Sequence, residues 1–232
     1  MIPLKDSNPT ERFPIVTVLF IALNCLVFLY EIALGENQGE SFVGAFALVP
    51  ARLFHVGTGI TGPVPAGATL FTSMFLHGGL LHLVGNMLYL WIFGNNVEDA
   101  MGRFRFIVFY LLCGVIASVS HAMMNSQSVV PMIGASGAVS GVLGAYLLLY
   151  PHARVTTLFT LGFFVRLIEV PAMAVLGFWL VFQFLSAVIT QSSGGGVAWY
   201  AHIGGFVAGM VLIGLFKKST VPFLGRRRFG GL

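Results

Sequence analysis

Six long apolar runs divide this chain, and they restrict its fold more than any other feature of the sequence. A helix needs about 20 predominantly apolar residues to cross the hydrocarbon core of a bilayer. Only 9% of the 232 residues are charged, whereas soluble domains contain about 25%. We therefore predict an all-α membrane protein, a bundle of six transmembrane helices. The predicted helices, numbered one to six, are residues 15–34, 76–94, 104–124, 135–150, 170–190 and 200–216.

The basic residues predict how these helices are oriented. Of the 12 Lys and Arg residues, Arg52 alone lies in the loops after helices one, three and five. By the positive-inside rule, both termini are therefore expected in the cytoplasm of a multi-pass protein of the cell (inner) membrane. This divides the chain into a cytoplasmic N-terminal segment (1–14), a membrane domain (15–216) and a basic cytoplasmic tail (217–232).

The segment between helices one and two, residues 35–70, has a different composition. It mixes apolar with polar residues and is rich in glycine and proline between residues 57 and 67. We expect a partly helical loop that lies at the outer membrane interface.

Charge and cysteine content argue against two other classes of protein. The net charge of +4 does not indicate a nucleic-acid partner, because the basic residues are dispersed or terminal. The two cysteines both fall inside apolar runs, and their number is too small for a disulfide framework.

Four polar side chains fall at similar depth in the predicted membrane domain, where helices two, four and six all enter from the outer side. His82 and Asn86 lie one to two turns into helix two, and their i, i+4 spacing puts them on one face. Ser136 begins helix four, and His202 lies in the first turn of helix six. Polar groups in hydrocarbon are costly and are usually functional or paired, so we expect these four to converge.

Small residues indicate that helices four and six pack closely. They recur at four-residue spacing, as Gly137, Gly141 and Ala145 in helix four and as Ala201, Gly205 and Gly209 in helix six. Such faces let two backbones approach each other in lipid. A Ser Oγ and a His nitrogen must come within about 2.6–3.2 Å to share a proton, and close backbone contact allows this. Because such faces also pack helices that have no catalytic role, the pattern has meaning only together with Ser136 and His202.

Ser136 stands where acyl transfer favours a nucleophile. At a helix N-terminus, free N–H groups and the positive end of the dipole favour a developing anion. The available oxyanion donors are the Ser136 N–H, the Asn86 amide and an N–H of His82. No Asp or Glu lies near Ser136 or His202 in the chain, so a Ser–His dyad is predicted rather than a triad with a buried carboxylate.

Together these residues resemble the signature of rhomboid intramembrane serine proteases. The resemblance rests on Gly134-Ala135-Ser136-Gly137, on Ala201-His202 followed by Gly205 and Gly209, and on His77, His82 and Asn86. It implies that Ser136 is the nucleophile and His202 the general base. It implies that His82 and Asn86 stabilise the oxyanion, and that His77 is a nearby, mainly structural histidine.

The resemblance also implies a kind of substrate. The family cleaves membrane-anchored proteins within or beside a transmembrane segment, so we expect single-span membrane proteins as partners, with no cofactor and no metal. Its substrates are thought to enter laterally, near helices two and five. The glycine run at residues 194–196 precedes His202 and is expected to form a mobile cap. The substrate's identity and the oligomeric state stay open.

Two positions depart from the family's pattern. Many members carry a Trp-Arg pair in the loop after helix one, whereas Ala51 precedes Arg52 here. Members also often have an aromatic residue one turn after the nucleophile that stacks on the catalytic histidine, and Ser140 stands at this position. We expect Phe206 or Tyr200 to pack against that histidine instead.

The polar residues also have structural interpretations. Ser136 could be a plain helix N-cap, and His202 and Asn86 could be hydrogen-bonding residues between helices. Asn24 and Gln183 are interpreted as polar contacts of this second kind.

Two other functions stay open at this point. A non-catalytic relative could bind and chaperone membrane helices with the same fold, but it would not need both Ser136 and His202. A metal transporter could use His77, His82, His121 and His202, but no carboxylate pair or His-rich loop supports it. The five-residue step from His77 to His82 also does not place the two on one helix face.

Overall fold

The computed structural model describes residues 2–55, 62–161, 164–190 and 198–225, and most of them are helical. A helix is present in each of the six predicted apolar segments, and three more helices or helical turns lie in the segment that follows the first. The helices are α1 (Ile15–Ala33), α2 (Gly35–Phe46), α3 (Pro50–Leu53), α4 (Ala66–Phe75), α5 (Leu80–Met101), α6 (Arg103–Met124), α7 (Ser136–Leu149), α8 (Ala172–Thr190) and α9 (Trp199–Phe216).

Length and composition make this a membrane protein with several spans. Within the described residues, four helices are long and apolar enough to cross a bilayer, namely α1, α6, α8 and α9. The pair α4 and α5 meets the same test as one broken span, with an 83° bend between its halves. Helix α7 has 14 residues, which is short of a full span. The predicted count of six spans therefore stays a prediction.

A small sheet corrects the all-α prediction. Strand β1 (Ile2–Asp6) pairs with β2 (Arg154–Leu161), and β2 pairs with β3 (Phe164–Pro171), all antiparallel. No element is predicted above for the segment between α7 and α8, although its first half is rich in β-branched residues, which favour strands. Val155 and Thr157 are buried while the flanking Arg154 is exposed, which is the period-two pattern of a half-buried strand.

The segment after α1 contains the helices that its composition predicted only in part. Helix α2 follows α1 almost directly, and the Tyr30 and Phe42 rings meet edge to face with their centroids 5.3 Å apart. The Arg52 side chain donates a hydrogen bond to the Val64 carbonyl, which ties α3 to the chain before α4. Residues 56–61 lie outside the described part of this segment.

Helix α7 is the centre of the bundle, because α6 and α9 pack directly against its backbone. A Cβ placed on Gly209 would lie 2.6 Å from the backbone carbon of Gly141, and one on Gly205 would collide with the Gly137 carbonyl. A Cβ on Gly141 would in turn overlap the Cys113 side chain of α6. These approaches confirm the predicted small-residue contact between the fourth and sixth segments.

Polar side chains fasten the opposite end of α7 to the sheet. The Asp6 carboxylate of β1 accepts hydrogen bonds from the Tyr146 hydroxyl at 2.6 Å and from Asn96 Nδ2 at 3.0 Å. Nearby, the Glu98 carboxylate accepts from the N–H groups of Val16 and Thr17 at the start of α1. A carboxylate at that position satisfies free N–H groups and the helix dipole together.

Candidate active site

Ser136 and His202 meet where α7 and α9 begin. The distance between Ser136 Oγ and His202 Nε2 is 2.7 Å, which is hydrogen-bonding distance. Both side chains are half-buried. The two residues reach each other because the glycine contacts hold the helix backbones closer than larger side chains would permit.

Ser136 is the first residue of α7, and its side chain does not cap that helix. Ala135 occupies the cap position, and no side chain makes a capping hydrogen bond to this N-terminus. The hydroxyl therefore faces His202 at the positive end of the helix dipole. The plain N-cap interpretation of Ser136 is wrong in this structure.

His202 is contacted by Gln183 and Trp179 of α8 and by Trp199 of its own helix α9, and the contact with Gln183 confirms the predicted polar contact between helices. Its Nδ1 lies 2.6 Å from Oε1 of Gln183, a side chain that is only 5% exposed. The rings of Trp179 and Trp199 lie 5.9 and 6.1 Å from the imidazole, centroid to centroid. The expectation of Phe206 or Tyr200 as the packing partner is therefore not met, although Phe206 stacks on Trp179.

His82 and Asn86 border the chain that leads into Ser136. A Cβ on Gly134 would lie 2.7 Å from His82 Cε1 and 3.8 Å from Asn86 Nδ2, so this backbone runs against both side chains. Gly134 has a φ of +122°, a conformation that side chains disfavour, and its N–H donates to the Ser73 carbonyl. Both reasons make glycine the fitting residue at this position.

His77 completes this polar group. Its Nε2 lies 3.1 Å from Asn86 Nδ2, and its ring centroid is 5.1 Å from that of His82. The side chain is 2% exposed. The contact orients the Asn86 amide, which agrees with a structural role for His77, while the oxyanion roles of His82 and Asn86 stay predictions.

Gly137, the last residue of the Gly134-Ala135-Ser136-Gly137 run, packs closely against two other helices. A Cβ at this position would lie 2.6 Å from Ala117 Cβ of α6 and 3.9 Å from Ala201 Cβ of α9. The residue after the nucleophile thus lies where three helices meet, and a larger side chain would push α6 away from α7.

In the part of the chain that the structure describes, the side chains of two histidines, His77 and His202, form hydrogen bonds. Both ring nitrogens of His202 have hydrogen-bond partners, and His77 Nε2 contacts an amide. Among the described residues, no group of three or more His, Cys, Asp or Glu side chains is placed to hold a metal ion.

Residues 66–219 match the family model described as the Rhomboid domain. The chain belongs to the rhomboid family. The match includes Ser136, His202 and the whole polar group around Gly134. Membership together with the apolar helices makes the chain a multi-pass membrane protein.

Several curated relatives are similar over most of this rhomboid chain. It is 34% identical to the Rhomboid protease GluP of Bacillus subtilis, over 92% of this chain and 37% of that protein. It is 32% identical to the mitochondrial Rhomboid protein 1 of Saccharomyces cerevisiae, over 71% of this chain and 46% of the relative. It is also 32% identical to the chloroplastic Rhomboid-like protein 11 of Arabidopsis thaliana, over 84% and 66% of the two chains.

The chain thus spans less than half of the length of the first two relatives. Because the family includes a named protease, membership supports intramembrane proteolysis at the level of the family. The activity of this rhomboid is a separate matter that depends on its own residues.

Of the two α8 residues beside His202, the sequence singled out Gln183 as a polar contact between helices but did not single out Trp179. Gln183 is an uncharged amide in an otherwise apolar run, and Trp179 precedes it by one helical turn, so both lie on one face of α8. The signal was present, but nothing in the sequence says which neighbouring helix that face contacts. The predicted mobile cap at residues 194–196 lies outside the described residues.

Proposed function

We propose that this rhomboid is an intramembrane serine endopeptidase that cleaves single-span membrane proteins within or next to their transmembrane segments. Ser136 is the nucleophile and His202 the general base. The single observation that carries the proposal is the 2.7 Å contact between Ser136 Oγ and His202 Nε2 at the start of α7. A serine hydroxyl is a weak nucleophile unless an adjacent base takes its proton.

The reaction proceeds through an acyl-enzyme. His202 Nε2 takes the Ser136 hydroxyl proton while Oγ bonds to the carbonyl carbon of the scissile peptide. The C–N bond then breaks, and the amine leaves with the proton from His202. Water then attacks the ester carbonyl while His202 takes one of its protons. His202 returns this proton to Ser136 Oγ as the ester bond breaks, which restores the enzyme. No cofactor or metal enters these steps.

The oxyanion of the tetrahedral intermediate needs donors that are in place beforehand. We assign this role to the N–H of Ser136, the Asn86 amide and an N–H of His82, with His77 holding Asn86. The support is that Gly134, two residues before the nucleophile, runs against the His82 and Asn86 side chains.

The proposed topology follows from charge and from the position of the site. Six spans, with α7 as a short central one, place both termini in the cytoplasm and Ser136 toward the outer face of the inner membrane. Hydrolysis requires water, so the site must open to that side. A peptide bond in a helix is shielded by its hydrogen bonds, so residues that weaken the substrate helix near the scissile bond should increase cleavage.

The experiment uses the purified full chain in detergent and a single-span reporter protein. We expect cleavage by the wild type and none by Ser136→Ala or His202→Ala with unchanged thermal unfolding. Ser41→Ala and His152→Ala change the same residue types at exposed positions and should cleave normally. A fluorophosphonate probe should label Ser136, as read by mass spectrometry of the tryptic peptide.

Equal cleavage by the wild type and Ser136→Ala would refute the mechanism. A wild type that binds transmembrane reporters but neither cleaves them nor reacts with the probe would favour the non-catalytic helix-binding alternative.

A further inference from the structure

The imidazole of His202 is held from both sides. Ser136 Oγ lies at its Nε2, and Gln183 Oε1 lies 2.6 Å from its Nδ1. Gln183 comes from α8, so the two contacts come from different helices. With 5% of its surface exposed, the Gln183 side chain has little access to water as an alternative partner.

The contact decides which nitrogen of His202 is basic. A neutral imidazole has one N–H and one lone pair, and the hydrogen bond made by one nitrogen sets the state of the other. When Gln183 Oε1 accepts the Nδ1–H, the lone pair is on Nε2, facing the Ser136 hydroxyl. The opposite tautomer would direct an N–H at Ser136 and leave the serine without a base.

We propose that Gln183 is a positioning residue that holds His202 in the tautomer and ring orientation needed to activate Ser136. This inference rests on the proposed function. It gives the dyad a third, uncharged partner in the place where a carboxylate stands in a Ser-His-Asp triad. No proton passes to the amide. The proton from Ser136 stays on His202 until the leaving amine takes it, while Nδ1–H keeps donating to Oε1.

The same face of α8 also fixes the plane of the ring. Trp179 lies one helical turn before Gln183, and its ring centroid is 5.9 Å from that of His202. The position of α8 therefore sets both the tautomer and the tilt of the base. The neighbouring Val181 and Leu185 are more than half exposed, as expected of side chains directed away from the bundle.

Two variants separate this role from plain helix packing. Gln183→Met keeps the unbranched shape but removes the acceptor, whereas Gln183→Glu keeps an acceptor and adds a negative charge when ionised. Leu185→Met is the matched control on the exposed side of α8. The other ionisable groups whose charges act on His202 are His82 of α5 and His121 of α6, and both are unchanged in these variants.

The measurements are kcat and KM for the single-span reporter from pH 5 to 9, and the rate of fluorophosphonate labelling of Ser136. We expect Gln183→Met to lower kcat and the labelling rate about tenfold, the effect of one neutral hydrogen bond, with KM nearly unchanged. We expect Gln183→Glu to retain most of kcat and to move the acid limb of the profile to higher pH. A carboxylate beside Nδ1 stabilises the protonated imidazole.

Wild-type kinetics in Gln183→Met would overturn the inference while leaving the proposed function intact. If Gln183→Met does not fold, Gln183→Glu decides, because an unmoved acid limb in that variant also overturns it. A wild type that neither cleaves nor labels overturns the proposed function itself, so the two failures are distinguishable.

Discussion

The close contact between α7 and α9 is what brings the serine and histidine together, and Gly209→Ala tests it directly. A Cβ on Gly209 would lie 2.6 Å from the backbone carbon of Gly141, against about 3.4 Å for an ordinary contact. The Gly141 carbonyl oxygen would be closer still, so the helices must separate by at least about 0.8 Å at this level, because no flexible side chain can give way.

That separation is enough to break the dyad. If α9 moves as a rigid rod, the 2.7 Å between Ser136 Oγ and His202 Nε2 becomes at least about 3.5 Å, beyond the range of a hydrogen bond. Misplacement of reacting groups by about 1 Å costs about 100-fold in rate. We expect kcat/KM of Gly209→Ala to fall by about this factor. The overpacking should also lower the free energy of unfolding by about 1–3 kcal/mol.

The assay is reporter cleavage in detergent, with thermal unfolding measured on the same samples. Gly214→Ala is the control on the same helix, because its Cβ would lie at an ordinary 3.7 Å from Phe223 Cζ. This variant should cleave within about twofold of the wild type, since it makes no overpacked contact. A folded Gly209→Ala with wild-type kcat/KM would refute the claim that helix separation sets the Ser–His distance.

Two further predictions concern the ends of the bundle. Gly134→Ala combines a disfavoured φ of +122° with a collision against His82, so reporter cleavage should fall at least tenfold and labelling of Ser136 should slow. At the other end, burial raises the pKa of Asp6 above its usual value of 3.8, although the hydrogen bond from the Tyr146 hydroxyl opposes this. The folded protein then holds the Asp6 proton more tightly than the unfolded chain does. The contribution of Asp6 to stability is therefore fully present below about pH 3.8 and is lost as the pH rises through the folded pKa. Asp6→Asn should remove this part of the pH dependence of thermal unfolding, and a variant with the same dependence as the wild type would contradict the assignment.

The sequence predicted which segments form apolar helices and which of those helices pack backbone against backbone. Apolar length identified the helices, and glycines four residues apart identified which backbones touch, because both are local properties of the chain. The contact between Ser136 and His202 was predictable for the same reason, since each residue lies at the start of a helix and the two helices share a small-residue face.

The sheet was not predictable from these rules. Strand β1 comes from the first residues of the chain and pairs with β2, more than 140 residues away. Such pairing depends on where α7 ends relative to the N-terminal segment, and no short-range pattern carries that information. The aromatic partners of His202 were also missed. Trp179 reaches His202 from α8, which no local pattern predicts, whereas Trp199 lies on α9 itself, three residues before His202, and could have been considered beside Phe206 and Tyr200.

The site thus combines two kinds of helix contact, one that sets the distance between the two catalytic side chains and one that sets the orientation of the imidazole. Between α7 and α9 the contact is backbone against backbone, so it fixes a distance, that between Ser136 Oγ and His202 Nε2. Between α8 and α9 it is made by two side chains, Trp179 and Gln183, and so it fixes an orientation, that of the imidazole. A substitution at Gly209 should therefore lower every rate that depends on the Ser–His distance at all pH values. A substitution at Gln183 should instead act through the base without moving the nucleophile, so that Gln183→Met lowers kcat and Gln183→Glu shifts the acid limb of the pH profile.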